Sequence, residues 1–508
     1  MMSSQIRKST LSEFFQKNLH LLGFSYPAKN LVIVVHELIT NSIDNCVENH
    51  ISPEILITLK QEKDFFVVTV KDNGTGIPKE NLHDIFSHFL QSSKFNVNVQ
   101  TLGSQGIGLS GCVLFSKIYA GKQTEMTTVN KGYEYKVIID LDIQTETSLN
   151  KIISKKKVDE NKHGTEIKIY LKNVIYSKGK SGVDEYLKMI YLSNPFAHII
   201  FNNEIENTKT EYKQLIDVPK SPEIAKFHIY GLNANDLIRL FNASKSNNLY
   251  DFLKNDLQKM SAKIVDEIQK KANLVLRKIK KGDLDFKTTE KIINTSREVK
   301  IRNVSSTNLL PIGEKELEKS LKELYNPEFS VIIERPAKVI NSGIPFQVEV
   351  AVGYAGECGR KNSDGIVEPA NIRFSNRVPL LFDYSSDVVY KVMNEIKINS
   401  YIRTQSLSIP LTIITNINST NIFYNNTSKQ SVSDIDEYHK ELHLAITEAL
   451  RKISIYVNKR EREKIEAKYK DKIISYTDII SDDLEYLSDN YKSKSEIKNK
   501  LLQIVGKR

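Results

Sequence analysis

Between residues 31 and 45 the chain reads LVIVVHELITNSIDN, and its apolar and polar positions separate with a helical period. Leu31, Val35, Leu38 and Ile39 share one side, while Glu37, Asn41 and Asp44, at i, i+4 and i+7, share the other. The spacing predicts an amphipathic helix with its apolar side in a core. The pattern then changes. ILITLKQ and FFVVTVKD predict strands, rich in β-branched and aromatic residues; NLHDIFSHFL predicts a short helix. GIGLSGCVLFSKIYA predicts a buried helix opening from a glycine-rich loop, and EYKVIIDLDI and TEIKIYLK two more strands. Strands and helices in alternation predict an α/β sandwich through about residue 225.

Pro219-Lys-Ser-Pro222 reads as the exit from that unit, because neither helix nor strand continues through closely spaced prolines. From about 229 to 306 the pattern is helical and polar, with DFLKNDLQKMSAKIVDEIQKKANLVLRKIKK as its longest run. Beyond Pro311-Ile-Gly-Glu314 it changes again: SVIIERPAKVI, FQVEVAVGY, ANIRFSNRVPLL and LSIPLTIITNI predict strands, interrupted by the helix DVVYKVMNEI. A long helix is expected from Val432 to about Lys472, and the first 25 residues form a short amphipathic arm. The expected division is 1–228, 229–306, 307–470 and a helical tail at 471–508.

Composition narrows the class. A chain of 508 residues that is 40% hydrophobic and 26% charged can hold about three domains with real cores. Cys46, Cys112 and Cys358 are far apart, which predicts neither a zinc site nor a disulfide framework and fits a reducing cytoplasm. No run reaches the eighteen or so apolar residues a membrane span needs, and MMSSQIRKST lacks a signal-peptide core. The net charge of +10 points to an anionic partner, and residues 251–302 contribute 14 Lys/Arg against 8 Asp/Glu.

The candidate chemistry lies in the first unit. Asp72-Asn-Gly74-Thr-Gly76-Ile-Pro78, Gly103-Ser-Gln-Gly106-Ile-Gly108 and His163-Gly164-Thr165 follow the first helix in that order. Together they imply a nucleotide site built without a Walker lysine loop. Glu37 can act as general base for an attacking water, and Asn41 can ligate Mg²⁺ through its amide oxygen. Asp72, at a strand end, can accept an adenine amino group, with Gly74 and Gly76 letting backbone approach the ring. The loop of Gly103, Gly106 and Gly108 can cradle phosphates at a helix N-terminus, and Thr165 can bridge water to the base. Asp283-Leu-Asp285 sits in a lysine-rich polar stretch and does not read as a metal-dependent cleavage site.

This ordered set resembles the GHKL ATPases, which include gyrase B, the ninety-kilodalton heat-shock chaperones, histidine kinases and MutL. Further stretches make it similar to the B subunits of topoisomerase VI: Leu90-Gln-Ser-Ser93-Lys94-Phe, Pro311-Ile-Gly-Glu314, Arg373-Phe-Ser-Asn-Arg377-Val-Pro-Leu-Leu, and Asn426-Thr-Ser-Lys429-Gln-Ser. The resemblance implies an α+β protein comprising a GHKL (Bergerat) sandwich, a small helix–two-turns–helix insert and an α/β transducer with a long C-terminal helix. It implies nucleotide contacts from Asn41, Asp44, Asp72, Gly74, Gly76, Ser93, Lys94, Gly103, Ser104, Gln105, Gly106, Ile107, Gly108, Leu109, Ser110, Thr165 and Lys429. Glu37 and Lys429 are its catalytic pair, with Lys429 reaching the γ-phosphate. Asn45 stands where the family usually has Ala, and His36 where a basic residue often precedes the catalytic Glu. The implied cofactors are ATP and Mg²⁺. The implied partners are DNA, a DNA-cleaving A subunit and a second copy of this chain, in an A2B2 heterotetramer acting in the cytoplasm on the nucleoid. A MutL-like or chaperone-like clamp, or a nucleotide-binding scaffold that does not hydrolyse, is the alternative.

Overall fold

The computed structural model describes the chain except residues 1–10, 84, 86–99, 101, 103–107, 141, 143–148, 180, 222–225, 303–308, 341–343, 403–406, 427–428, 488–492 and 506–508. Its first unit opens with helix α1 (Leu11–Lys17) and the long α2 (Pro27–Glu48). Pro27 occupies the first helical position of α2, where a missing N–H costs nothing and the fixed φ favours the turn. Eight strands follow: β1 (Glu54–Glu62), β2 (Phe65–Lys71), β3 (Thr124–Asn130), β4 (Tyr133–Ile139), β5 (Lys151–Lys157), β6 (Gly164–Leu171), β7 (His198–Asn203) and β8 (Thr208–Tyr212). They form one sheet in the order β5-β4-β3-β6-β2-β1-β7-β8, antiparallel except for the parallel pair β1–β7. Helices α3 (Gly108–Phe115) and α4 (Val183–Ser193) pack with α2 over this sheet. Leu31, Val35, Leu38 and Ile39 of α2 are all buried in the shared core with Ile57, Val68 and Ile169, as the period predicts. The helix expected from the glycine loop stops at Phe115 and closes in a π turn at Ser116–Ala120, with Gly121 in the left-handed region.

The second unit is helical with a core of its own, containing Leu237, Phe241, Phe252, Ile268 and Ile292. It comprises α5 (Ala234–Ala243), α6 (Leu249–Asp256), α7 (Ala262–Ala272) and α8 (Phe286–Arg297). The helical run that begins at residue 251 is cut into pieces. Ser261 caps α7 through the Ile264 N–H, and Asn273, left-handed at φ 48°, ends it. Asp285 caps α8 through Thr288 N–H at 2.7 Å and Asp283 accepts from Lys280 N–H at 3.2 Å, so each carboxylate of the DxD has a local structural task.

The third unit begins with α9 (Glu314–Tyr325) and β9 (Phe329–Glu334), β10 (Lys338–Val339) and β11 (Pro345–Tyr354). A small ribbon, β12 (Arg360–Lys361) with β13 (Val367–Glu368), leads to β14 (Ala370–Ser375) and β15 (Val378–Pro379). Then come α10 (Val388–Glu395), α11 (Ile398–Tyr401), β16 (Leu411–Ser419), α12 (Asp436–Leu487) and α13 (Lys494–Val505). The sheet order is β10-β11-β16-β14-β15 with β9 also on β11, and β14 runs parallel to β16. Both β11 and β16 are buried along their whole length. Val348, Val350 and Val352 meet Leu442, Ile446 and Leu450 of α12 on one face. Ala351 and Ile414 meet Leu317 and Leu321 of α9 and Met189 and Leu192 of α4 on the other, so the first and third units share a core.

Helix α12 ends at Leu487, beyond the expected Lys472. Its distal part, poor in buried apolar residues, is paired instead to α13 through Lys494–Asp482 and Lys498–Asp478, both 2.6 Å. Among the described residues no helix is long and apolar enough to cross a membrane.

Candidate nucleotide site

Helix α2 organises the site. Its three polar residues grade from core to surface: Asp44 is buried, Glu37 partly so, and Asn41 exposed. Asp44 Oδ1 accepts from the Leu102 N–H at 3.0 Å. Asn41 donates its NH₂ to the Glu37 carbonyl at 2.7 Å, which leaves the amide oxygen as the end suited to a cation. Glu37 lies against the start of α3, where a Cβ on Gly108 would come within 1.9 Å of Glu37 Oε2. A larger residue there would have to displace that carboxylate. Leu109 is buried in the shared core and Ser110 is buried beside it in α3.

Asp72 follows β2 and gathers the elements around the end of that strand. Its Oδ2 accepts from Ser42 of α2 at 2.8 Å, and its Oδ1 from the N–H groups of Gly74 (2.9 Å) and Thr165 (3.1 Å). Burial raises its carboxyl pKa, and these three hydrogen bonds oppose the rise. Gly76 has φ +73° and packs so closely that a Cβ would meet the Val129 carbonyl at 2.0 Å. Thr165 Oγ1 lies 3.3 Å from Thr128 Oγ1, which in turn accepts from the Ile77 N–H at 2.8 Å.

Lys429 approaches from the third unit. Its backbone is left-handed at φ 55°, and its N–H donates to the Asn426 carbonyl at 3.3 Å. Its charge is felt at His36 of α2: burial lowers the His36 pKa, Lys429 lowers it further, and Glu37 works against both. His36 Nδ1 is 2.8 Å from Tyr186 Oη, and its Nε2 is 3.7 Å from Glu37 Oε1. The Lys429 loop is held by Gln430 Oε1, which accepts from the N–H groups of Leu381 (3.1 Å) and Phe382 (3.3 Å). Asn426 Nδ2 bonds Asp383 Oδ2 at 2.9 Å, and the same carboxylate oxygen pairs with Lys29 of α2 at 3.2 Å.

The contacts thus connect Glu37, Asn41, Asp44, Asp72, Gly74, Gly108 and Thr165 around α2, while Gly76 packs on β3 and the loop of Lys429 reaches α2 through Asn426, Asp383 and Lys29. Ser93, Lys94, Gly103, Ser104, Gln105, Gly106 and Ile107 lie outside the described residues. Three residues carry no signal of their role in the sequence. Ser42 and Thr128 are small polar residues in a helix and a strand whose burial demands a partner. Asn45 stands out in the sequence only as a departure; its Oδ1 accepts from the Thr75 N–H at 2.9 Å, and its Nδ2 donates to Thr75 Oγ1 at 3.3 Å, pinning the Gly74–Gly76 turn.

A helix bearing Glu37 and Asn41, an Asp72 turn tied to it, and a lysine loop from a second sheet define the class: a GHKL-type ATPase body joined to a transducer. Residues 28–174 match the family described as histidine kinase-, DNA gyrase B-, and HSP90-like ATPase, and residues 305–469 match the topoisomerase VI B-subunit transducer. The chain is 34% identical over 475 residues to the B subunit of type 2 DNA topoisomerase 6 from Methanothermobacter thermautotrophicus, covering 93% of this chain and 90% of that one. It is 31% identical to the corresponding B subunit from Thermococcus onnurineus, covering 99% and 96%. The ATPase region of Saccharomyces cerevisiae topoisomerase II aligns at 14% identity over 90% of this chain and 99% of that one, with a TM-score of 0.42. The chain belongs to the family of type 2 DNA topoisomerase 6 B subunits.

Proposed function

We infer that this chain binds ATP with Mg²⁺, hydrolyses it, and uses the cycle to pair two copies of itself around DNA that a separate A subunit cuts and reseals. The carrying observation is the arrangement on α2: it holds Glu37 against the start of α3, holds Asp72 through Ser42, and meets the third unit through Lys29 and Asp383. One rigid element therefore touches both ends of the nucleotide site and the neighbouring unit.

Glu37 takes a proton from the attacking water and holds that water in place, because its helix fixes it. Asn41 would hold Mg²⁺ through its amide oxygen, and the ion would supply charge neutralisation at the phosphates. Asp72 accepts the adenine amino group, Gly74 and Gly76 admit the ring, and Thr165 holds a bridging water. The segment from Gly103 through Ser110 offers backbone N–H groups to phosphates, with Asp44 holding its start through Leu102 and Ser93 and Lys94 adding contacts. Lys429 reaches the γ-phosphate as a point charge and reports nucleotide state to the transducer.

The working division is 1–228 for the ATPase body and its dimerising arm, 229–306 for the helix–two-turns–helix insert, 307–470 for the transducer and 471–508 for the tail. The distal part of α12 carries the A subunit, giving A2B2 complexes that relax and decatenate DNA in the cytoplasm.

Solution mass with Mg²⁺, with and without a non-hydrolysable ATP analogue, tests this reading. A shift from monomer to dimer is expected. A chain that binds the analogue yet stays monomeric, even beside an A subunit, would overturn it in favour of a scaffold. A dimer that supports no relaxation of supercoiled DNA with any A-type partner would point to a clamp with another client.

A further inference from the structure

Two motifs away from the nucleotide site, Pro311 to Glu314 and Arg373 to Arg377, meet in one buried polar node. The alternation of β11 sends its valines toward α12 and places Gln347 and Glu349 on the opposite face, where both are buried. A carboxylate there is tolerable only with donors around it. Glu349 has four: the N–H groups of Ile312 (2.9 Å) and Gly313 (2.7 Å), and the side-chain amides of Asn416 and Asn418, each at 2.7 Å. The buried Arg377 guanidinium donates to the carbonyls of Ser193 (3.2 Å), Leu310 (3.1 Å) and Pro311 (2.5 Å).

Gln100, 3% exposed, completes the node from the ATPase body. Its Nε2 donates to the Leu310 carbonyl (3.0 Å) and to Asn418 Oδ1 (3.1 Å), and its Oε1 accepts from the Leu310 N–H at 2.6 Å. The amide grips the backbone of Leu310 from both sides and stands two hydrogen bonds from Glu349, through Asn418. Two residues on, the Leu102 N–H is held by Asp44. A two-residue step reaches at most about 7 Å, so Asp44 and the transducer node are joined by a very short piece of chain.

We propose that Gln100 is a positioning residue that couples the nucleotide site to the transducer sheet. A change at Asp44 moves Leu102, and Gln100 carries that movement to Leu310 and β16. The link is stiff because the amides of Gln100, Asn416 and Asn418 and the Glu349 carboxylate are hydrogen-bonded to one another in a buried setting. This rests on the assignment of Asp44 to the nucleotide site. Two other contacts between the same bodies, Lys29 with Asp383 and Ser193 with the Arg377 carbonyl, avoid residues 100–102 and keep the units docked when Gln100 is replaced.

Hydrogen exchange of the full chain, with Mg²⁺ and a non-hydrolysable ATP analogue, tests the proposal. In the wild type the analogue slows exchange over 27–48 and also over 310–314 and 411–419. Two variants break the link: Gln100→Ala, and Gln100→Met, which keeps the volume and loses all three hydrogen bonds. Both should bind the analogue within about twofold, as expected for sites not in contact. Both should still protect 27–48, while 411–419 exchanges at its unliganded rate. Ser193→Ala, which removes the hydrogen bond to the Arg377 carbonyl but leaves the three Gln100 bonds in place, should keep the protection at 411–419. Persistent protection there in Gln100→Met, or its loss in Ser193→Ala, would overturn the proposal. Protection of 27–48 alone in the wild type overturns only the coupling. No protection anywhere in the wild type overturns the nucleotide assignment and the coupling with it.

Discussion

Glu37 and Gly108 leave no room between them: a Cβ on the glycine would stand 1.9 Å from Glu37 Oε2 and 2.1 Å from its Cδ. Glycine to alanine inside a helix ordinarily stabilises by about 0.5–1 kcal/mol. Here the new methyl must push the carboxylate aside. Gly108→Ala is expected to lower kcat for ATP hydrolysis by at least about tenfold, because misplacing a reacting group by an ångström costs on the order of a hundredfold. Nucleotide affinity should change less. Steady-state hydrolysis and equilibrium titration of the same preparation separate the two effects.

Glu37→Gln removes the base while keeping the side chain's size. Analogue binding and pairing of the two copies should survive, and turnover should fall about 10²–10⁴-fold, the usual range for a lost general base. Hydrolysis at the wild-type rate would take Glu37 out of the mechanism.

Asn45→Ala restores the residue usual in the resembled family but removes two hydrogen bonds to Thr75. Loss of such bonds at a partly buried site costs about 1–2 kcal/mol. The effect should be double: a lower unfolding temperature and a weaker Kd for the analogue, since the Gly74–Gly76 turn loses its anchor. A variant with unchanged Tm and Kd would show that Gly74 to Gly76 hold their shape without Asn45.

These residues show what a sequence can and cannot disclose. The face of α2 was legible because a 3.6-residue period depends only on the helix itself. The bonds from Asp72 to Ser42 and from Thr128 to Thr165 were not, since partners far apart in sequence leave no periodic trace. FQVEVAVGY declares a strand, but alternation says nothing of what covers the polar face, and here the Ile312–Gly313 backbone and two asparagines of β16 enclose Glu349. Helix ends failed for two reasons. Local caps at Ser261 and Asn273 broke a run whose composition looked continuous, and α12 outran its apolar pattern because ion pairs to α13 continue it.

Lys278, Lys280 and Lys281 are exposed in the helical insert, and Lys281 Nζ donates to the Ser244 carbonyl. If they meet phosphates, replacing all three by Gln should reduce the slope of log K against log salt by about 2–3, near 0.9 for each phosphate no longer neutralised. The measurement is DNA-binding titration at several salt concentrations. A uniform weakening with the slope unchanged would assign DNA binding to another surface.

His439, in the first turn of α12, is gripped at both ring nitrogens, by Asp434 Oδ1 at 2.9 Å and Glu395 Oε2 at 3.0 Å. Burial pulls its pKa down, but hydrogen bonds and charge from the two carboxylates outweigh it, so the folded pKa is raised. The folded state therefore binds this proton more tightly than the unfolded chain. Its contribution is fully present below the unfolded value of about 6.5 and is lost as pH rises through the higher folded value. Asp434, held below its ordinary range mainly by hydrogen bonds from His439 and Lys391 against burial, remains charged through that window. His36 has the opposite sign: its lowered pKa gives stability above about 6.5 that is lost as pH falls. The pH profile of the wild type alone would mix the two. The difference between wild type and His439→Gln isolates the staple: denaturant unfolding should show the larger deficit near pH 6 and a shrinking one toward pH 9. A deficit that stays flat across that range would mean the imidazole stabilises α12 by packing and not by charge.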